Sequence, residues 1–125
     1  MILDTNALSA AAEEAPGIKK VLASAQKLAV PVTVIGEYRF GIAQALRGAR
    51  HNVWLENFIG QCLVLDITDD TTHYYAAIRL ELKKLGKPIP VNDLWIAALC
   101  RQHKLVLLSR DRHFDVVSGI QRVDW

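Results

Sequence analysis

Four acidic residues in this 125-residue chain stand where acids need a reason: Asp4, Glu37, Asp93 and Asp111. Asp4 directly follows the apolar Met1-Ile2-Leu3, and Asp111 lies just past Leu105-Val106-Leu107-Leu108. An Asp at such a point serves, taken singly, as a loop residue or a helix N-cap. Asp93 has Ile96, Ala97 and Cys100 at i+3, i+4 and i+7, so a helix there carries a carboxylate on its apolar stripe. Glu37 sits between Gly36 and Tyr38 in a largely apolar stretch, with no basic residue four positions away to form a helical ion pair. If these acids converge, each pair at ~5 Å repels by roughly 3 kcal/mol at an effective dielectric of ~20. Such a group persists through protonation or a counter-ion. Hard oxygen donors suit Mg²⁺ or Mn²⁺, whose chemistry is to polarise a substrate and activate a water.

The elements that must bring them together alternate between short β-type runs and helical stretches. Met1 to Leu3 reads as a buried strand ending at Asp4. Glu13 to Gln26 reads as a helix with Ile18, Val21, Leu22 and Ala25 on one face. Leu28 to Val30 reads as a strand closed by Pro31. Thr33 is the expected N-cap of a helix that holds Glu37 and runs to about Arg47, with Gly48 as its stop. His51 to Ile59 reads as a helix and Leu63 to Leu65 as a strand. Asp69 or Asp70 is expected to cap a helix over Thr71 to Leu85, stopped by Gly86 and Pro88. Asn92 or Asp93 is expected to open a helix reaching about His103. Leu105 to Leu108 is the clearest strand, and Ile120 to Val123 adds an edge strand. This alternation predicts an α/β/α sandwich with a mainly parallel central sheet, formed as one domain over residues 1–125. Ligands of such sheets bind beyond the carboxyl ends of the strands, which directs attention to Asp4-Thr5-Asn6 and Ser109-Arg110-Asp111.

Composition sets outer limits. A hydrophobic fraction of 51% with 22% charged residues is that of a globular chain with a real core. The net charge of +2 permits a polyanionic partner without announcing one. The chain starts without a basic segment before an apolar stretch, and its most apolar window, Leu28 to Gly36, is broken by Pro31 and too short for a bilayer. Cys62 and Cys100 form no CxxC pair and read as two buried free thiols. A cytoplasmic protein is expected.

Four ordered segments carry a family resemblance. Met1-Ile2-Leu3-Asp4-Thr5-Asn6, Thr33-Val34-Ile35-Gly36-Glu37-Tyr38-Arg39-Phe40-Gly41, Asn92-Asp93-Leu94-Trp95-Ile96-Ala97-Ala98 and Leu108-Ser109-Arg110-Asp111-Arg112-His113-Phe114 closely resemble the PIN domain. Among its members the likeness is to the VapC-type toxins of bacterial toxin–antitoxin pairs. The resemblance implies a three-layer sandwich and an endoribonuclease in which Asp4, Asp93 and Asp111 hold the metal, directly or through water, and Glu37 completes the acidic pocket. Thr5, Asn6 and Ser109 match polar positions that orient the carboxylates or the substrate. Ser109 stands where Thr is frequent and Tyr38 where Leu is frequent, and neither change removes an acid. The resemblance further implies products with a 5′-phosphate and a 3′-hydroxyl, a cognate VapB-like antitoxin and a homodimer. One or two ions remain open, as does Glu37 as second-ion ligand or as base for the water. Asp115, one turn beyond Asp111, is an alternative fourth acid or a solvated turn residue.

Arg39, Arg47, Arg50, Lys83, Lys84, Lys87, Arg110 and Arg112 are available for RNA phosphates, and Arg110 and Arg112 are the foremost because they flank Asp111. Tyr38, Phe40 and the three tryptophans read as packing or interface residues. The chain has no P-loop and no GxGxxG, and its four histidines show no zinc spacing. Ser109 lacks the glycines of a nucleophile elbow. Two rival functions stay in view: a non-catalytic RNA- or protein-binding module of this type, and a metal-dependent phosphatase. The acid-after-strand phosphatase pattern wants a second Asp where this chain has Asn6.

Overall fold

The computed structural model describes residues 1–46 and 48–125. Arg47, expected at the end of a helix and near RNA, lies outside the described residues. A five-stranded sheet runs in the order β3-β2-β1-β4-β5, built from β1 (Ile2–Leu3), β2 (Ala29–Pro31), β3 (Leu63–Leu65), β4 (Leu107–Leu108) and β5 (Arg122–Val123). Every pairing is parallel. Helices flank the sheet, giving the expected α/β/α sandwich. The chain lays down β1, β2 and β3 outward on one side, then returns to add β4 and β5 on the other. The order therefore reverses between β1 and β4, where a ligand crevice opens in sheets of this kind.

Buried strands explain the continuously apolar runs. Ile2, Leu3, Leu107 and Leu108 are all fully buried, and they pair as Ile2 with Leu107 and Leu3 with Leu108. That register puts the next residues, Asp4 and Ser109, side by side at the sheet edge. The clearest sequence strand is shorter than its apolar run, because Leu105 and Val106 precede the paired residues. Ile96, Leu99 and Cys100 from α6 (Val91–His103) complete the buried layer behind β1.

Several helix boundaries differ from those the sequence predicts. Thr5–Ala12 forms an unpredicted helix, α1, capped by Asp4. The predicted Glu13–Gln26 helix shrinks to α2 (Ile18–Ser24), because Glu14 (φ 52°) and Gly17 (φ 86°) adopt left-handed turn conformations. Pro31, rather than Thr33, is the N-cap of α3 (Val32–Gln44), so strand and helix join with no linker. Gly48 begins α4 (Gly48–Ile59) instead of ending α3. A Cβ on Gly48 would stand 2.9 Å from the Ile42 carbonyl oxygen, so close packing explains this glycine. Thr68, not Asp69 or Asp70, caps α5 (Asp69–Leu85) through a reciprocal capping box with Thr71. Pro90, rather than Asn92 or Asp93, is the N-cap of α6, which leaves Asn92 and Asp93 in its first turn with side chains that do not cap it. Cys100 is buried and Cys62 half-buried, both free thiols. No described helix is long and apolar enough to cross a membrane.

Candidate active site

The four acids arrive from four elements. Asp4 ends β1, Glu37 lies in the second turn of α3, Asp93 in the first turn of α6, and Asp111 follows β4 as the cap of a short 3₁₀ helix, Arg112–Val116. Asp4 is buried, Asp93 and Asp111 half-buried and Glu37 exposed. Glu37 thus sits on the solvent rim of α3, whose buried face is Val34, Ile35, Tyr38 and Ile42, and not on an apolar stripe. Asp93 does occupy such a stripe, above buried Ile96, Ala97 and Cys100.

Neutral donors hold Asp4 and Glu37. Asp4 Oδ1 accepts from the Thr5 backbone N–H at 2.7 Å, and Oδ2 accepts from Ser109 Oγ at 2.7 Å and Asn6 Nδ2 at 3.2 Å. Ser109 Oγ in turn accepts from the Asp111 N–H at 2.9 Å, tying the two strand ends together. Asn6 Oδ1 accepts from the Arg110 N–H at 3.2 Å. Glu37 is clamped between Thr5 Oγ1 and Asn92 Nδ2, each donating at 2.6 Å. All three expected supporting residues, Thr5, Asn6 and Ser109, therefore engage an acid directly. Ser109 is fully buried, so Ser109→Ala strands the Asp4 and Asp111 partners it satisfies. We expect that variant to lose about 1–3 kcal/mol in urea unfolding at an unchanged m-value. A loss below about 0.3 kcal/mol would mean water replaces the hydroxyl at no cost.

The electrostatics are those of a crowded acid group. Burial, and then the Asp4 and Asp111 charges, push the Asp93 carboxyl up to about 6, while His113 opposes the rise. Asp4 is also raised, first by burial and then, against its hydrogen bonds, by Asp111 and Glu37. Asp4 and Asp93 thus each feel the charges of Asp111 and Glu37. Among the described residues, His113 is the basic side chain at ion-pair distance: its Nδ1 is 3.0 Å from Asp111 Oδ1 and 3.6 Å from Asp93 Oδ2. One oxygen each of Asp93 and Asp111, with a ring nitrogen of His113, all lie within 4.8 Å of one another, a spacing that could hold a metal ion. Asp4 and Glu37 stand outside that tightest trio. The donor set fits a hard divalent cation, since oxygen anions crowd together with so little positive charge among them.

Two clefts border the acids. One, of about 260 Å³, is lined by Thr5, Glu37, Tyr38 and His51 among others. The second, of about 330 Å³, adjoins Asp111 and His113 and carries Lys87 and Arg112 on its wall. Arg110 does not face it. The Arg110 guanidinium lies over the Trp125 ring at 4.3 Å, and it donates to Asp124 Oδ1 at 3.1 Å and to the Trp125 carbonyl at 2.7 Å. Asp115 is taken by Arg122 through two hydrogen bonds of 2.7 and 2.9 Å, which removes it as an alternative fourth acid. Trp54 stacks on Phe58 and Trp95 on Tyr75, as packing residues do. Phe40 is exposed, unlike Tyr38.

Sequence reasoning missed His113 and Asn92. His113 reads in the sequence only against zinc spacings and as a partner of Ser109 and Asp111 in a triad, and its position two residues after a capping Asp is the available signal. Asn92 needed the boundary of α6 to be known, because only a first-turn position turns its amide toward Glu37.

A family model described as PIN domain matches residues 1–120. Ribonuclease VapC2 of Haemophilus influenzae is 29% identical over 103 residues, covering 82% of this chain and 78% of its own length. Toxin FitB of Neisseria gonorrhoeae is 32% identical over 124 residues, covering 89% and 87%. A crystal structure of DNA-bound VapBC from Salmonella typhimurium aligns with a TM-score of 0.89 at 25% identity, over 99% of this chain and 96% of that one. With the family's four motifs at the one crevice of the sheet and a family match over nearly the whole length, this chain belongs to the PIN-domain family.

Proposed function

We propose that this protein, acting as one domain, is a Mg²⁺- or Mn²⁺-dependent endoribonuclease, the toxin of a VapBC-type toxin–antitoxin pair. One observation carries the reading most: four acids from four separate elements gather at the strand ends beside β1 and β4 with no lysine or arginine paired to them among the described residues, Asp4 and Glu37 held by neutral donors and Asp93 and Asp111 approached by the His113 ring. A structural role for these carboxylates would leave their mutual repulsion uncompensated. The names of its relatives, ribonucleases VapC among them, and of its structural neighbours, VapBC complexes, support the substrate class and the antitoxin partner.

Asp93 and Asp111 would hold the ion, with Asp4 beside them, directly or through water. When bound, such an ion neutralises charge on the scissile phosphate and lowers the pKa of a water. Asp4 is fixed by three donors, which lets it present one orientation to whatever occupies the crevice. Glu37 keeps a lone pair on each oxygen after accepting from Thr5 and Asn92, so it can take the proton of an attacking water. Lys87 and Arg112 line the cleft beside Asp111, where they would meet the phosphates of a bound strand. Arg110 is a weaker candidate for that contact, since its guanidinium is committed to Asp124 and Trp125. The free thiols fit a reducing cytoplasm. A homodimer is part of the proposal by family likeness.

Brief expression without an antitoxin tests the function. Growth arrest is expected, together with newly cut RNA ends bearing 5′-phosphates at a limited set of sites. Unchanged growth and an unchanged population of RNA ends would overturn it.

A further inference from the structure

Outside the four acids, His113 is, among the described residues, the basic side chain at ion-pair distance from them. Its placement has a local part and a long-range part. Locally, the Asp111 side chain accepts from the His113 backbone N–H at 2.9 Å, which caps the 3₁₀ helix and sets the imidazole over its own capping residue. The turn is fixed from behind by Phe114, which is buried, and from the side by the Asp115–Arg122 pair. The capping geometry accounts for the approach to Asp111. It does not account for Asp93, which belongs to α6 and lies twenty positions earlier, yet has Oδ2 3.6 Å from the same Nδ1. One ring nitrogen thus bridges two carboxylates contributed by different elements, at the point where those carboxylates would share an ion.

Ligands of one Mg²⁺ or Mn²⁺ at bond lengths near ~2.1 Å stand no more than about 4.2 Å apart. The separations of Nδ1 from the oxygens of Asp111 and Asp93, 3.0 and 3.6 Å, satisfy that limit. We infer that His113 Nδ1 is a ligand of the ion held by Asp93 and Asp111, making the centre a mixed nitrogen–oxygen site that favours Mn²⁺ over Mg²⁺. The inference rests on the metal-dependent reading above and adds to it the identity of a donor. Its chemical consequence is selectivity: imidazole suits borderline transition metals, whereas Mg²⁺ prefers oxygen and sheds its waters reluctantly. His113 is exposed on its outer edge, so its replacement leaves the core intact.

The test uses chelator-stripped full-length protein, titrated separately with Mn²⁺ and Mg²⁺ by calorimetry, together with pulsed electron paramagnetic resonance of the Mn²⁺-bound form. The wild type is expected to show coupling of the Mn²⁺ electron spin to a directly bound nitrogen. His113→Ala should lose that coupling, and its Mn²⁺-to-Mg²⁺ affinity ratio should fall at least about fivefold, with Mg²⁺ affinity changed less than about threefold. Tight Mn²⁺ binding without nitrogen coupling in the wild type would overturn the inference while leaving the metal-dependent reading intact. Absence of binding by either ion would overturn both. The wild-type spectrum decides the matter even if the variant folds poorly.

Discussion

Asp4→Asn should reduce RNA cleavage by at least about a thousandfold, equivalent to roughly 4 kcal/mol of lost transition-state stabilisation. The size follows from two losses at one position. A negative charge disappears from the crevice that would hold the cation. The amide nitrogen must also replace one of two oxygens that both accept hydrogen bonds, Oδ1 from the Thr5 N–H and Oδ2 from Ser109 and Asn6. Either placement sets a donor against a donor, so the surviving oxygen is turned from its orientation. Initial rates on a fluorescent RNA, with circular dichroism confirming the fold, provide the measurement. Cleavage within tenfold of the wild type would remove Asp4 from the reaction.

Asp93→Asn is expected to do something less intuitive: to stabilise the protein while disabling it. The Asp93 side chain is only 14% exposed, and among the described residues its close polar neighbour is the His113 ring. Burial and three neighbouring acids, Asp4, Asp111 and Glu37, hold its carboxyl at about 6, above the 3.8 of an unperturbed aspartate. A carboxyl raised on folding contributes stability that is complete below about pH 3.8 and is lost as pH rises through about 6. At pH 7 without metal the ionised group is therefore a burden, and the isosteric amide removes it. Allowing for the water that still reaches the site, the gain is about 1–2 kcal/mol, or some 4–8 °C in Tm. The gap between variant and wild type should be narrow at pH 4 and widen toward pH 7. Mn²⁺ reverses the order, since a ligand at a hundred times its Kd adds about 2.7 kcal/mol to the protein that binds it and little to one that has lost a ligand. Thermal melts at two pH values, with and without Mn²⁺, check all of this. A wild type that outlasts the variant in chelator, or an equal Mn²⁺ gain in both, would count against Asp93 as a ligand. The trade of stability for a poised site is the pattern expected where function demands crowded charge.

The acids drew attention in the sequence through their positions and were joined as one site by the four motifs that resemble the PIN domain. Asp93 put a charge on an otherwise apolar helical stripe, and Asp4 and Asp111 ended runs that had to be buried strands. Parallel pairing then followed from alternation, and the site followed from where such sheets open. What escaped was partly local and partly set by long-range contacts. Helix α1 is short and rich in alanine, with its cap, Asp4, at the site, so no stripe of large apolar residues marks it in the sequence. Prolines at 31 and 90 opened helices that the sequence seemed to start at Thr33 and Asn92, because an N-cap was sought among side chains able to accept a bond. Gly48 looked like a stop and is a close-packing position. Arg110 looked free beside Asp111 until the fold brought Trp125 under it, fifteen residues later. Glu37 reads as part of an apolar stretch and is a rim residue held by Thr5 and Asn92. For Arg110 and Glu37 the missing information is a long-range contact; for the helix starts it is a proline N-cap that offers no side-chain acceptor.

Adding Mn²⁺ back to chelator-stripped protein in the presence of RNA is the most direct measurement. The acid-cluster account predicts no cutting in chelator, and cutting that returns with Mn²⁺ in proportion to occupancy of the site, in the wild type but not in Asp93→Asn. RNA cut at full rate in chelator, or restored equally in that variant, would contradict it.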